Sequence, residues 1–169
     1  MEISFAERME QLMKEHWSYD LTQKYKHLFE TNEDGRILRG IECSEGWCKP
    51  VTKLLESFEW NRVNNTLIDN PNFDEDKPLG EDGNYQYIPN PKDNEIKIFQ
   101  IKEKFGIPRV YYTFDNPKLE RGLLLAEGGL EGACYLTCEV CSALHYNGVT
   151  SKNGWLVCQC DKCLNRKQQ

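Results

Sequence analysis

No apolar run in the chain approaches the roughly 20 residues that a helix needs to cross a bilayer, so a transmembrane helix is not expected. Basic residues are scarce where a secretory leader would place them. The opening MEISFAERME carries three glutamates, which predicts a soluble cytosolic chain. Positive charge is also in deficit overall: 21 Lys and Arg stand against 27 Asp and Glu, a net charge of -6. That argues against broad affinity for a polyanion, which depends on Lys and Arg releasing counterions from phosphates. Histidine is rare, with only His16, His27 and His145 available as imidazole bases. The length of 169 residues excludes two large domains, because single cores commonly occupy about 100 to 150 residues. A hydrophobic share of 39%, with seven Phe, eight Tyr and four Trp, is enough for a packed core and excludes compositional disorder.

Hydrophobic spacing predicts the elements. Ser4 and Glu7 form a capping-box pattern ahead of Phe5, Met9, Leu12, Met13 and Trp17, which recur at helical spacing. Leu21, Tyr25, Leu28 and Phe29 continue a similar stripe after a break near Asp20, and turn chemistry from Asn32 to Gly35 ends it. Trp47, Val51, Leu54, Leu55 and Phe58 fall on one face of a helix whose first turn tolerates Pro50. Residues 96–101 and 110–114 are β-branched and aromatic around a turn ending in Gly106, which predicts two antiparallel strands. Asp115 or Asn116 then caps a helix with Pro117 in its first turn and Leu119, Leu123, Ala126 and Leu130 on one face. Gly128, Gly129 and Gly132 are expected to fray its end. The expected core holds Trp47, Leu54, Leu55, Phe58, Phe99, Ile101, Val110, Tyr112, Leu119 and Leu123.

Residues 61–95 differ in character. They hold eight Asn, four of the seven prolines, and eight acids against three bases, leaving five of the six net negative charges. This stretch reads as a solvated insertion or, more sharply, as an acidic contact surface with Asp74, Glu75, Asp76, Glu81 and Asp82 as partner-binding residues.

Eight cysteines in a chain expected to be cytosolic point to metal ligation rather than a disulfide framework. Cys138 and Cys141 form C-x2-C, and after eighteen residues Cys160 and Cys163 form a second. Each pair lets a tight turn aim two sulfurs at one ion, and two pairs complete a tetrahedral shell. The intervening Asn147, Gly148, Asn153 and Gly154 supply turns for a small hairpin, giving a zinc-ribbon or treble-clef-like module with one structural zinc. Cys134 and Cys158 stand beside the knuckles and leave the ligand register open, although the matched pairs are the simpler set. Cys43, Cys48, Cys134 and Cys158 are expected to be buried reduced thiols, with a second metal site as the alternative.

The string IKEKFGIPRVYY at 101–112, SEGW at 44–47, CEVCS, GW and CDKC together resemble a group of small phage and prophage proteins. In that group a GW-led helix precedes a KEKFG-x-x-R-x-Y hairpin, a helix and a terminal cysteine module. The resemblance covers most of the chain outside 61–95. This sequence departs from the pattern at Ser142, where a knuckle glycine is usual, at Pro108, an apolar position, and at Cys163, often a histidine. None of these prevents zinc binding. The resemblance implies a phage-borne accessory protein working in the cytoplasm of a bacterial host, and by analogy an inhibitor of a bacterial defence protein such as a CRISPR effector.

The sequence reading is therefore an α+β protein: N-terminal helices, a small antiparallel hairpin sheet, a helix and a C-terminal zinc module. Residues 1–133 would form the core with its acidic insertion at 61–95, and residues 134–169 the module packed on it. No nucleophile-and-base arrangement is visible, so the protein is expected not to be an enzyme. His145 and Asn147 are similar to part of a metal-finger nuclease site, but no Asp-His dyad accompanies them. The expected function is noncatalytic binding of a larger bacterial protein that blocks nucleic-acid loading. The alternative is a nucleic-acid-binding zinc ribbon using Lys152, Lys162, Arg166 and Lys167 with Tyr146 and Trp155, and Lys97, Lys102, Lys104 and Arg109 on the hairpin.

Overall fold

A helix with an apolar stripe needs a sheet or another helix to cover it, and the described part of the chain supplies both. The computed structural model describes residues 8, 14–65, 88–89 and 94–166. In chain order the elements begin with helix α1 (Tyr19–Lys24), a 3-10 turn (Lys26–Leu28), strand β1 (Ile41–Glu42) and a 3-10 turn (Glu45–Trp47). Helix α2 (Cys48–Val63) and strands β2 (Asn64–Asn65), β3 (Ile88–Pro89), β4 (Ile96–Lys104) and β5 (Ile107–Phe114) follow. A 3-10 turn (Pro117–Leu119), helix α3 (Glu120–Tyr135), strands β6 (Thr150–Lys152) and β7 (Trp155–Val157) and helix α4 (Asp161–Leu164) complete it. The architecture is α+β.

The helix predicted from Trp47 onward is α2, and it buries Val51, Leu54, Leu55 and Phe58. The second predicted helix starts at Asn116, whose Oδ1 accepts from the Lys118 N–H at 3.1 Å. Its glycines do not fray it. Leu130 and Cys134 continue the stripe of Leu119 and Leu123 into the core, and this burial outweighs the cost of about 1 kcal/mol per helical glycine, so α3 runs to Tyr135. The first helix expected from Ser4 lies largely outside the described residues. The break after it falls at residues 16–18 rather than at Asp20, since α1 already starts at Tyr19.

The predicted hairpin is longer than its apolar cores suggested, with β4 and β5 joined through a two-residue turn at Phe105 and Gly106, both at positive φ. The sheet is not purely antiparallel. β1 adds in parallel to β4, pairing Ile41 with Ile101 and giving the order β1-β4-β5. Two residues carry no alternation signal, so this strand was invisible to pattern reading. A register shift between Ile98 and Gln100 changes which side chains point inward. Ile96, Ile98 and Ile101 are buried, while Phe99, expected in the core, is only half-buried. Tyr112 is also half-buried and meets the Phe58 ring edge-on at 5.0 Å. The other eight expected core residues are buried around Trp47 and Phe29.

Candidate metal centre

Two tight turns build the centre. In the first, the Ser142 N–H donates to the Cys138 carbonyl at 3.0 Å and the Cys138 N–H to that of Ala143 at 2.9 Å, folding 138–141 into a knuckle. Ser142 sits at φ 60, a left-handed conformation that glycine adopts at less cost. In the second, Cys160 is extended and precedes α4, whose single turn brings Cys163 back over it; the Cys163 N–H donates to the Cys160 carbonyl at 2.9 Å. Between the knuckles, β6 and β7 pair through Asn153 and Gly154, both at positive φ as a primed hairpin turn requires.

The outcome is one cluster. The sulfurs of Cys138, Cys141, Cys160 and Cys163 all lie within 4.8 Å of one another, and those of Cys141 and Cys160 are 3.7 Å apart. A tetrahedron with metal–sulfur bonds of about 2.3 Å has edges of about 3.8 Å, so the sulfur cage has the size a four-coordinate ion needs. Cys138 and Cys163 are buried, whereas Cys141 is exposed. Burial opposes ionisation of Cys138, but backbone N–H groups of Cys160, Cys141 and Val140 directed at its sulfur bring the thiol down to about 7. Cys163 is pushed up to about 12 by burial and by the other three sulfurs, which hydrogen-bond to it. A divalent cation would take the place of the protons these sulfurs otherwise share.

A layer of polar contacts, not foreseen from the sequence, holds the knuckles together. Glu139 is buried; its carboxylate accepts from Gln159 Nε2 at 2.8 Å and from the Cys158 N–H at 3.3 Å, while its own N–H donates to the Cys158 carbonyl. Asn147 Nδ2 donates to the Gln159 carbonyl and to Asp161. Lys152 Nζ donates to the Cys163 carbonyl at 2.8 Å and ties β6 to the second knuckle. Only the SEGW string hinted at what anchors this layer to the core. The Gly46 N–H donates to the Glu139 carbonyl, and a Cβ on Gly46 would lie 2.3 Å from the Cys138 oxygen. The buried Trp47 indole donates to the Thr137 carbonyl at 2.9 Å, one residue before the first ligand.

The structure gathers the two matched C-x2-C pairs and leaves Cys134 and Cys158 out of the cluster. The Cys158 thiol donates instead to the Cys134 carbonyl at 3.1 Å. The alternative second site is not assembled: among the described residues, only the 138/141/160/163 group gathers three or more ligand atoms. Cys43 and Cys134 belong to the apolar core. Burial pushes Cys43 up to about 12, helped by Glu103 and Cys48, and Cys158 up to about 11, helped by Glu139 and Cys138, as expected of inert thiols.

His145 is buried, with Nδ1 accepting from the Asn147 N–H and Nε2 lying 3.5 Å from the Cys158 sulfur. His16 lies 2.7 Å from the Ser18 hydroxyl and His27 2.6 Å from Glu59. The hairpin bases are engaged locally: Lys97 pairs with Glu95, Arg109 pairs with Glu131, and Lys102 and Lys104 lie over the rings of Tyr111 and Phe105. Asp74, Glu75, Asp76, Glu81 and Asp82 lie outside the described residues, as does Lys167. The module's apolar side chains are not all covered, since Tyr146 is 91% exposed, Leu144 79% and Trp155 76%. No helix among the described residues is long and apolar enough to cross a membrane. Compared with protein-family models, curated proteins and solved structures, the chain matches none of them.

Proposed function

We propose that the C-terminal cysteine cluster holds one structural zinc ion and that the module it staples is a noncatalytic surface for binding a protein partner. Four thiolates are soft donors in tetrahedral number, which suits zinc, and a shell filled by protein sulfur leaves no position for substrate or water. The observation that carries the binding role is the exposure of Tyr146, Leu144 and Trp155 on a segment whose backbone is otherwise fixed by the knuckles. Aromatic side chains presented on a rigid frame make strong contact residues because little freedom is lost when they are covered. By analogy with the phage and prophage proteins that the sequence resembles, the partner proposed is a bacterial defence protein such as a CRISPR effector, inhibited stoichiometrically by blocking its nucleic-acid loading.

Elemental analysis of the purified chain is expected to give close to one zinc per chain. Affinity capture from bacterial lysate, with the wild type beside a Tyr146→Ala/Trp155→Ala variant of equal zinc content, tests the surface. A partner recovered by the wild type and lost by the variant supports the reading; recovery by both removes it. A second reading has some support from Lys162 and Arg166, which are exposed on the same module as Tyr146 and Trp155 and would serve nucleic-acid stacking. Lys152 is tied to Gln159 and Cys163 instead. Tight binding to single-stranded DNA that falls steeply with salt and is lost in Lys162→Ala/Arg166→Ala would favour it.

A further inference from the structure

Helices α2 and α3 pack antiparallel, with residue 122 of α3 beside residue 61 of α2 and residues 130 and 133 beside residues 50 and 54. Near the C-terminal end of α2 they touch: a Cβ on Gly122 would lie 2.0 Å from Asn61 Oδ1. Towards the other end, a Cβ on Gly129 would meet nothing within 4 Å. A groove of about 440 Å³ lies there between the helices, with walls of Pro50, Leu54, Leu125, Ala126, Leu130 and Ala133. Leu125 is 64% exposed at its edge. This apolar trough lies between two helices in the position a third helix would take in a packed bundle.

The charge around it has one sign. Among the described residues that line the groove, the only charged ones are Lys49 and Lys53, one turn apart on α2, in a chain of net charge -6. Both lie in the first two turns of a 16-residue helix, where the backbone dipole adds positive potential. Lys53 also pairs with Glu56 at 2.6 Å, but that lysine side chain is 80% exposed, and such a pair is readily exchanged for another carboxylate. Two lysines are too few for an anionic lipid surface, which typically engages clusters of about 4 to 8 basic residues.

We propose that this groove docks an amphipathic helix of a partner protein, whose apolar ridge fills the space over Gly129 and whose carboxylates, one turn apart, meet Lys49 and Lys53. The surface is separate from the exposed aromatics of the metal module and goes beyond the function proposed above.

The test uses the metal-loaded full chain and a fluorescent helical peptide of about four turns with leucines at i, i+3, i+4 and i+7 and glutamates flanking them. A matched peptide carries lysine for each glutamate. At low salt the glutamate peptide is expected to bind at least about tenfold more tightly than its counterpart. Lys49→Glu combined with Lys53→Glu should invert that order. Gly129→Leu, whose Cβ would meet nothing within 4 Å and whose isobutyl group would fill the groove, should abolish binding without lowering the Tm. Equal affinity for the two peptides, binding of neither, undiminished binding to Gly129→Leu, or binding to phosphatidylserine vesicles with no peptide preference would each overturn the proposal. The peptide probes the groove alone and the capture experiment probes the hairpin, so the failure of one reading leaves the other standing.

Discussion

At the scale of single residues, a position that constrains the metal module, Gly46, lies far before it in the sequence. Gly46 forms part of the turn that starts α2, and the first knuckle passes so close that a Cβ there would come within 2.3 Å of Cys138 and Glu139 backbone atoms. Backbone cannot yield as a flexible side-chain tip does. Gly46→Ala is therefore expected to cost about 2 kcal/mol or more, in the range where overpacking against a fixed neighbour falls. It should lower the urea midpoint and weaken metal retention together. A midpoint equal to wild type would show that the knuckle is free to move away. Alanine at Gly128 or Gly132, where a Cβ meets nothing within 4 Å, provides the control.

At the scale of elements, α2 was legible because five apolar residues kept helical phase, and α3 because its stripe survived four glycines. The knuckles were legible because C-x2-C spacing is itself a geometric statement. β1 was not, since it is two residues long, and the fate of Phe99 was not, since a register shift reverses inward and outward. Cys134 and Cys158 shared a residue type with the ligands and differed from them only in where the turns aimed their sulfurs. The helix face permits a direct check: Leu54 is 2% exposed, so Leu54→Ala is expected to cost about 2 to 5 kcal/mol. An unchanged urea midpoint would remove the assigned face. The link from α2 to the turn after α1 is electrostatic. Arg62 grips Glu59 with Nε at 2.8 Å and Nη2 at 2.9 Å, and His27 reaches the same carboxylate. These partners, Arg62 foremost and against the opposing effect of burial, hold Glu59 near 2 instead of its ordinary 4.5. The folded chain thus binds fewer protons between those values than the unfolded one does. The stabilisation is complete above about pH 4.5 and is lost as pH falls towards 2. With solvent screening at a partly exposed site, Glu59→Gln should cost only about 1 kcal/mol at neutral pH. Its denaturation curve should converge on that of the wild type near pH 2. A deficit independent of pH would assign the effect to packing.

At the scale of the whole molecule, the question is whether the proposed metal ion would stabilise only its own module or the core as well. Among the contacts that join them are Gly46 to Glu139, the Trp47 indole to the Thr137 carbonyl, the Cys158 thiol to the Cys134 carbonyl inside the core cluster, and the close approach of Gly106 to Val149 and Val157. Trp47 is fully buried and packs among the core residues, so a shift of residue 137 withdraws the acceptor from a buried N–H, at a cost of about 1 to 3 kcal/mol. Structural zinc in small peptides contributes on the order of 10 to 16 kcal/mol, comparable to or above the net stability of an entire domain. Removing it with a chelator, or deleting ligands with Cys138→Ser or Cys160→Ser, is expected to do more than loosen residues 138–163. Urea unfolding of the stripped chain should remain a single transition at a lower midpoint, with core and module probes moving together. If instead the far-UV signal, dominated by α2 and α3, kept its midpoint while only the module's Trp155 fluorescence changed, the contacts through Gly46 and Trp47 would be adjacent to the module without being coupled to it.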